Sequence, residues 1–443
     1  MVVDSAFAGL GFSGESAKHV YPLKMFLPGS DLSPIEENID KVIEGLTCWA
    51  PRRTRAHIES PALIEISGRD YPDALERFNL LFLRNLWSDG LPLVPPTEER
   101  VSHLLQGTPY ARDRTLGKLL PRGGFATVEM VTVAAVMAGC RPEYMPVLIA
   151  AVEAILDPAV YHQHMNSTTG NANPAVVVTG PIARQIRLNS GYGCLGTSPT
   201  YPAGTSIGRA IRLLLQNVGG GVAGQGSMAI HGGPARVAAL VFAEDEAGLP
   251  STWQSFHTER GHPENCNRVT VLATSGATEV WEGAALDERE AMDTLFDFAG
   301  CLRVPYGAYW ANTFNPSGAA GIVLMGRSTA QGYANLGWSK ARIREYLWQN
   351  SMLPDTPWLR NTVEAWARRN MPVKDHIRYP MPIAMAPTNI LLVVAGGEQS
   401  GHSYWLQVHG GTNGPATRDI ALPEKWDNLL MEADAALGPL PAR

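Results

Sequence analysis

Five short apolar runs constrain the chain most: 175–179 (AVVVT), 236–243 (RVAALVFA), 269–274 (VTVLAT), 321–325 (GIVLM) and 390–395 (ILLVVA). Helical patterns separate them, near 204–217, 286–300, 339–348 and 356–369. Continuous β-branched runs of this length suit strands covered on both faces, and their alternation with helices predicts an α/β fold with a mixed or mainly parallel sheet and flanking helices. Three strands share an ending: VVVTGPIARQIRL, IVLMGRSTAQGYANLG and LLVVAGGEQSGHSYW each pass into glycine, then polar residues, then a likeness of helix. Such ends put backbone N–H groups and hydroxyls at the carboxyl edge of a sheet, where open α/β folds bind anions and other ligands. None matches G-x-x-x-x-G-K-[ST] or G-x-G-x-x-G, so no nucleotide is implied. The shared ending also raises an internal repeat as a minority reading.

Upstream, the spacing predicts helices over 73–87, from a Thr97 cap, and over 127–139 and 142–156, the last two meeting at GCRP. Residues 1–70 are irregular and rich in Pro, Gly and Ser, and read as an arm that binds a partner, with one candidate strand at 62–67 (ALIEIS). Residues 71–443 then form the α/β catalytic domain.

The 443 residues carry a net charge of −6, with the 36 Lys and Arg scattered, which argues against nucleic acid and membrane partners. No apolar run is long enough to span a bilayer and the start lacks a leader pattern, so the expected location is cytoplasmic. Five widely spaced cysteines without a CxxC pair read as free thiols.

The stretch YHQHMNSTTGNANP (161–174) is the densest collection of candidate ligand groups. Asn166, Ser167, Thr168 and Thr169 are neutral donors of the kind a bound sulfate, phosphate or carboxylate needs, more of them than turn capping would use. His162 and His164, read as ending a strand, could form a metal pair, with a third ligand from His231, His257, His262 or His402; the commoner alternative is a hydrogen-bonding histidine in a polar pocket. In NSGYGCLGTSP (189–199), Tyr192 is a better orienting group than Cys194 is a nucleophile. The following helix carries Arg209 and Arg212, and Arg209, with Ser206, could reach an anion near the helix start. The glycines of 219–226 allow close backbone approach to a ligand or partner. FHTERGHPENCN (256–267) offers Glu259 as the leading general base, with Arg260 beside it; AGGEQSGHSYW offers Glu398, Ser400 and His402.

Several stretches together, WSDGLPLVPPTEERV, FATVEMVTVAAVMAGCRPEYMPVLIAAVEAIL, NSGYGCLG, IGRAIRLLLQNVGG and LLVVAGGEQSGHS, resemble a family of bacterial proteins encoded beside, or fused to, a small UGSC-type domain with a selenocysteine/cysteine motif. The likeness spans about residues 70–405. Among proteins of this appearance, the resemblance implies the activity of the aziridine-forming enzymes of azinomycin- and vazabitide-type pathways. These are two-subunit complexes of unusual fold that close a three-membered ring by eliminating sulfate, and this chain is similar to the larger subunit. No catalytic residue carries over by alignment.

The residues suit such chemistry without any cofactor. An amine must be neutral and held behind the carbon bearing the leaving group, which calls for a carboxylate or histidine, and the departing sulfate needs donors where charge develops. Glu259, Glu398, His164 and Tyr192 are the catalytic candidates. Asn166, Ser167, Thr168, Thr169, Arg209, Arg260, Ser400 and His402 would hold an anionic, amino-acid-derived substrate, free or carrier-bound. The expected partner is a second, smaller subunit. The rival readings are a metal-dependent hydrolase or lyase built on His162 and His164, and a scaffold for a thiol- or selenol-bearing partner.

Overall fold

Along the run 173–179 the side chains alternate between two different interiors, Val176 and Val178 on one face and Ala175 and Val177 on the other. That double burial explains why the run lacks polar positions. The computed structural model describes residues 31–48, 63–304, 319–367, 379–399, 401–410 and 414–440. Apart from a hairpin, β1 (Thr115–Leu119) and β2 (Gly124–Thr127), its strands form one mixed sheet. They are β3 (Asn173–Thr179), β4 (Leu240–Ala243), β5 (Arg268–Trp281), β6 (Gly321–Met325), β7 (Ile390–Val394), β8 (His402–Val408) and β9 (Ala416–Asp419).

The order is β4-β3-β5-β8-β6-β7, with β9 on the first half of β5. β3 runs parallel to β4 and antiparallel to β5; β6 runs parallel to β7 and antiparallel to β8. The same pairing scheme therefore occurs twice, and the long β5 joins the two halves by pairing with β3 through its first half and with β8 through its second. The strand-to-glycine endings at 180 and 326 fall at corresponding places in the two schemes.

The sheet curls. Phe242 of β4 and Leu391 and Val393 of β7 share one buried cluster although their strands lie at opposite ends of the order, and Leu272, Ile322, Leu324, Leu406 and Val408 complete it. At the carboxyl ends the two edges touch: the main-chain N–H of Asp245 donates to Val394 O at 2.8 Å, and Arg327 clasps the Asp245 carboxylate at 2.7 Å. Outside the curl, the helices Val128–Met137, Met145–Ile155 and Ala203–Asn217 cover the first half, and Glu288–Cys301, Arg327–Asn335, Lys340–Asn350 and Pro357–Ala367 cover the second.

Most predicted elements form. The helix predicted over 73–87 is Tyr71–Arg84, capped by Asp70, and Thr97 accepts from Arg100 N at 3.4 Å as its position predicts. Within the stretch 1–70, expected to be irregular, the described residues include the helices Ser33–Glu36 and Ile39–Thr47. Three further expectations change. The run 236–243 is strand only over Leu240–Ala243, because Arg236 sits in a short 3-10 turn. The described part of 62–67, residues 63–67, is not strand. The sequence 402–408 is a central strand unforeseen by the apolar pattern, since Ser403 and Gln407 interrupt it. Among the described residues no helix is long and apolar enough to cross a membrane.

Candidate functional site

The polar stretch opens with Tyr161 in the left-handed region, at φ 52°, and turns into the short helix His162–Ser167 rather than ending a strand. This changes the histidine pair. Two residues on a helix are about 200° apart, so the rings diverge. His162 turns toward the Lys118 backbone, while His164 lies between Tyr161 and His409, at 5.5 and 5.1 Å between ring centroids. The two-histidine metal pair of the rival reading does not converge.

Asn166 is fully buried. Its Nδ2 donates to Leu120 O and Leu215 O, both at 3.0 Å, pinning the short helix to the helix Ala203–Asn217. The glycine loop closes over it, and a Cβ on Gly221 would stand 2.0 Å from Asn166 Oδ1. Met228 N donates to Ser167 O at 3.1 Å and Ile230 N to Thr169 O at 3.0 Å, so the loop follows the stretch residue by residue. Of the expected neutral donors, Ser167 Oγ is used internally on Gln163 O at 2.7 Å and Thr168 Oγ1 accepts from Gly170 N at 3.1 Å. Thr169 is exposed.

The cations of the site are not the predicted ones. Arg212, in the second half of the helix Ala203–Asn217, is buried, and among the described residues no hydrogen bond or ion pair joins it to an acceptor. Arg236 comes from the loop beyond; Nη1 donates to Ser227 Oγ at 2.7 Å and Nη2 to Met165 O at 3.4 Å, while Nε has no partner. Neither has a carboxylate beside it among the described residues. Burial pushes the Arg212 guanidinium down to about 10, and the neighbouring Arg236 charge adds to that. Burial also lowers Arg236. Burial, then His164 and Arg236, bring His409 down to about 3, and burial lowers His164. The stretch, the glycine loop and the end of β8 therefore bring together the buried Arg212, the half-buried Arg236 and two neutral imidazoles.

Two arginines held near each other without an anion are electrostatically incomplete. A buried charge is tolerated when paired, and a tetrahedral oxyanion supplies both the charge and the acceptors that guanidinium forks match.

The other predicted residues lie elsewhere and serve other partners. Arg209 faces Asp89, with Nε to Oδ2 at 2.8 Å and Nη2 to Oδ1 at 2.9 Å, so its charge is already matched. Glu259 is clasped by Arg344 and lies 3.8 Å from the buried Lys340 ammonium. Arg260 rests over the Phe256 ring at 5.5 Å. Glu398 pairs with Arg327 at 3.1 Å, and His402, exposed, with Glu279 at 3.2 Å. Tyr192 is 62% exposed, with its ring against Gly397. Ser400 lies outside the described residues. The residues expected to act on one substrate thus divide chiefly between the arginine and histidine site and a cluster of ion pairs where β4 and β7 meet.

That cluster contains Glu244, Glu246 and His257, whose ligand-type atoms lie within 4.8 Å of one another. It already holds a cation. Lys340 Nζ is 3.5 Å from Glu244 Oε1, Gly180 N donates to Glu246 Oε1 at 2.7 Å, and Phe256 N donates to Glu244 Oε2 at 2.7 Å. Burial raises Glu244 to about 7, with Lys340 opposing. A divalent ion there would face the ammonium.

Comparison with models of known families gives no match, and comparison with curated proteins gives none either. The sequence carried one signal for the missed cation: Arg212 stands in AIRLLL, between residues that must face the core. Arg236 carried none, since its run reads as a strand start, and His409 stands alone beyond a strand that was not foreseen.

Proposed function

We propose that this chain is the main subunit of a two-protein lyase that closes an aziridine ring by intramolecular amine attack with expulsion of sulfate. The observation that carries this reading is the buried Arg212 beside the half-buried Arg236, with no carboxylate paired to either among the described residues and neutral imidazoles nearby. A sulfate monoester would satisfy both guanidinium groups in the ground state, and more strongly as charge builds on the leaving oxygen. Positioned donors of this kind are worth about 3 kcal/mol each in comparable sites.

His164 is the base in this scheme. It is neutral at pH 7 and only partly buried, whereas Glu259 is held by Arg344 and Glu398 by Arg327. His164 takes a proton from the substrate ammonium, and the freed lone pair attacks the adjacent carbon. The C–O bond to sulfate breaks with its electron pair leaving on sulfate. The ring nitrogen then loses a second proton to solvent, so the elements of sulfuric acid depart. Holding the amine behind that carbon contributes several kcal/mol more.

The test is mass spectrometry of a vicinal amino sulfate incubated with this protein, alone and with its genomic neighbour. Loss of sulfuric acid only when both are present supports the reading. Loss that persists at full rate in Arg212→Met or Arg236→Met overturns the assigned site, and no loss under any combination overturns the activity.

A further inference from the structure

A cavity of about 480 Å³, within the size range of small-molecule sites, opens beside the arginine site, and among the described residues no ionisable side chain lines it. Its walls are Leu195, Val237, Ala239, Leu240, Val241 and Ala277, and its polar side chains are neutral amides and hydroxyls. The two asparagines engage their amide nitrogens within the wall itself: Asn173 Nδ2 donates to Thr274 Oγ1 at 3.1 Å and Asn171 Nδ2 to Ser275 O at 3.4 Å. The surface left for a ligand is mainly aliphatic.

Three segments run from the arginine site into this cavity. Gly170, where a Cβ would stand 2.8 Å from His409, leads to Asn171 and Asn173. Arg236 is flanked by Ala235 and Val237, both on the cavity wall. Thr205, also on the wall, stands two turns before Arg212 in the helix Ala203–Asn217, so the two share one face of that helix about 10 Å apart.

Charge decides what such a chamber accepts. A carboxylate or ammonium inside it would lose its hydration and meet no counter-ion on these walls, whereas each methylene placed there is stabilised by leaving water. We propose that the cavity receives an uncharged, mainly aliphatic body whose sulfate ester is held at Arg212 and Arg236. The proposal rests on the sulfate-expelling reading and names its substrate class: a sulfate monoester of an apolar alcohol, with charged groups confined to the reacting end. Any carboxyl group on the body is present in a masked, uncharged form.

Isothermal titration of the full chain with methyl, propyl and hexyl sulfate reads the dependence on chain length, and 5-carboxypentyl sulfate supplies a matched ligand that ends in a carboxylate. Two variants fill the cavity: Ala277→Trp from an exposed strand position, and Gly276→Leu, where a Cβ meets nothing within 4 Å. In the wild type, affinity should rise about three- to fourfold per methylene. The terminal carboxylate should bind at least about tenfold more weakly than hexyl sulfate. Either variant should lose the chain-length gain while inorganic sulfate still raises its Tm. Affinity independent of chain length, equal binding of the carboxylate, or a gain that survives both substitutions overturns the proposal. Hexan-1-ol separates this proposal from the reading it rests on. If inorganic sulfate fails to raise the wild-type Tm, the arginine site is overturned; hexan-1-ol bound by the wild type and excluded by Ala277→Trp then still supports the apolar chamber, and its failure to bind overturns that as well.

Discussion

Arg212, buried, and Arg236, half-buried, occupy neighbouring positions on two different segments, and among the described residues neither is paired with a carboxylate. Replacing a buried, poorly compensated charge by an apolar side chain of similar length is neutral or stabilising by about 1–4 kcal/mol. Arg212→Met should therefore raise the Tm in sulfate-free buffer and abolish the further rise that sulfate gives the wild type. Scanning calorimetry with and without sodium sulfate, against a sodium chloride control of equal ionic strength, reads both effects. A lower Tm in sulfate-free buffer would mean that the arginine is compensated within the chain.

Glu259 was the leading base on sequence grounds, yet the fold makes it the counter-ion of Arg344 and a neighbour of Lys340, both largely buried. Glu259→Gln should lower stability by about 3 kcal/mol, since it strands buried cations, while turnover per folded molecule stays near wild type. Denaturant midpoints and specific activity separate the two. A variant of wild-type stability but with little turnover would restore Glu259 as a catalytic residue.

The pH dependence follows from His409 and His164. Their folded pKa values are depressed by burial, so below the unfolded value, about 6.5, the unfolded chain binds protons that the folded chain does not. Stability should fall as pH drops below about 6.5, the His409 contribution levelling only near 3. Glu244 and Glu282, both raised to about 7 by burial, act in the opposite direction between their unfolded values and pH 7. His409→Gln should flatten the acid limb of a urea-midpoint profile; an unchanged limb would assign it to other groups.

Gly221 approaches Asn166 more closely than any side chain allows, with 2.0 Å between a built Cβ and Oδ1. Gly221→Ala should cost about 2 kcal/mol or more, as other overpacked interiors do. Most of that loss should vanish in the Asn166→Ala background, because the clash partner is gone. Additive losses in the double-mutant cycle would place the strain elsewhere.

The apolar runs made the strands legible because both faces of the curled sheet are buried, and helix caps such as Thr97 acted as their chemistry dictates. The stretch 161–173 was legible as a dense polar segment, but its conformation was not: a left-handed Tyr161 converts what looks like the tail of a strand into a helical turn. The surroundings of the arginines were not legible for a physical reason. Arg209 and Arg212 look alike in sequence, and only the distant Asp89, which matches the first and not the second, distinguishes them. Glu259 misled in the same way, its partners lying far along the chain.

The contact between Asp245 and Val394 ties strands that belong to separate repeats of the pairing scheme. Neither repeat can fray at that end without releasing the other, so the two halves should unfold as one cooperative unit. The arginine site is built mostly on the first half, but His409 comes from the end of β8 in the second. Its geometry is thus underwritten by residues that never touch it.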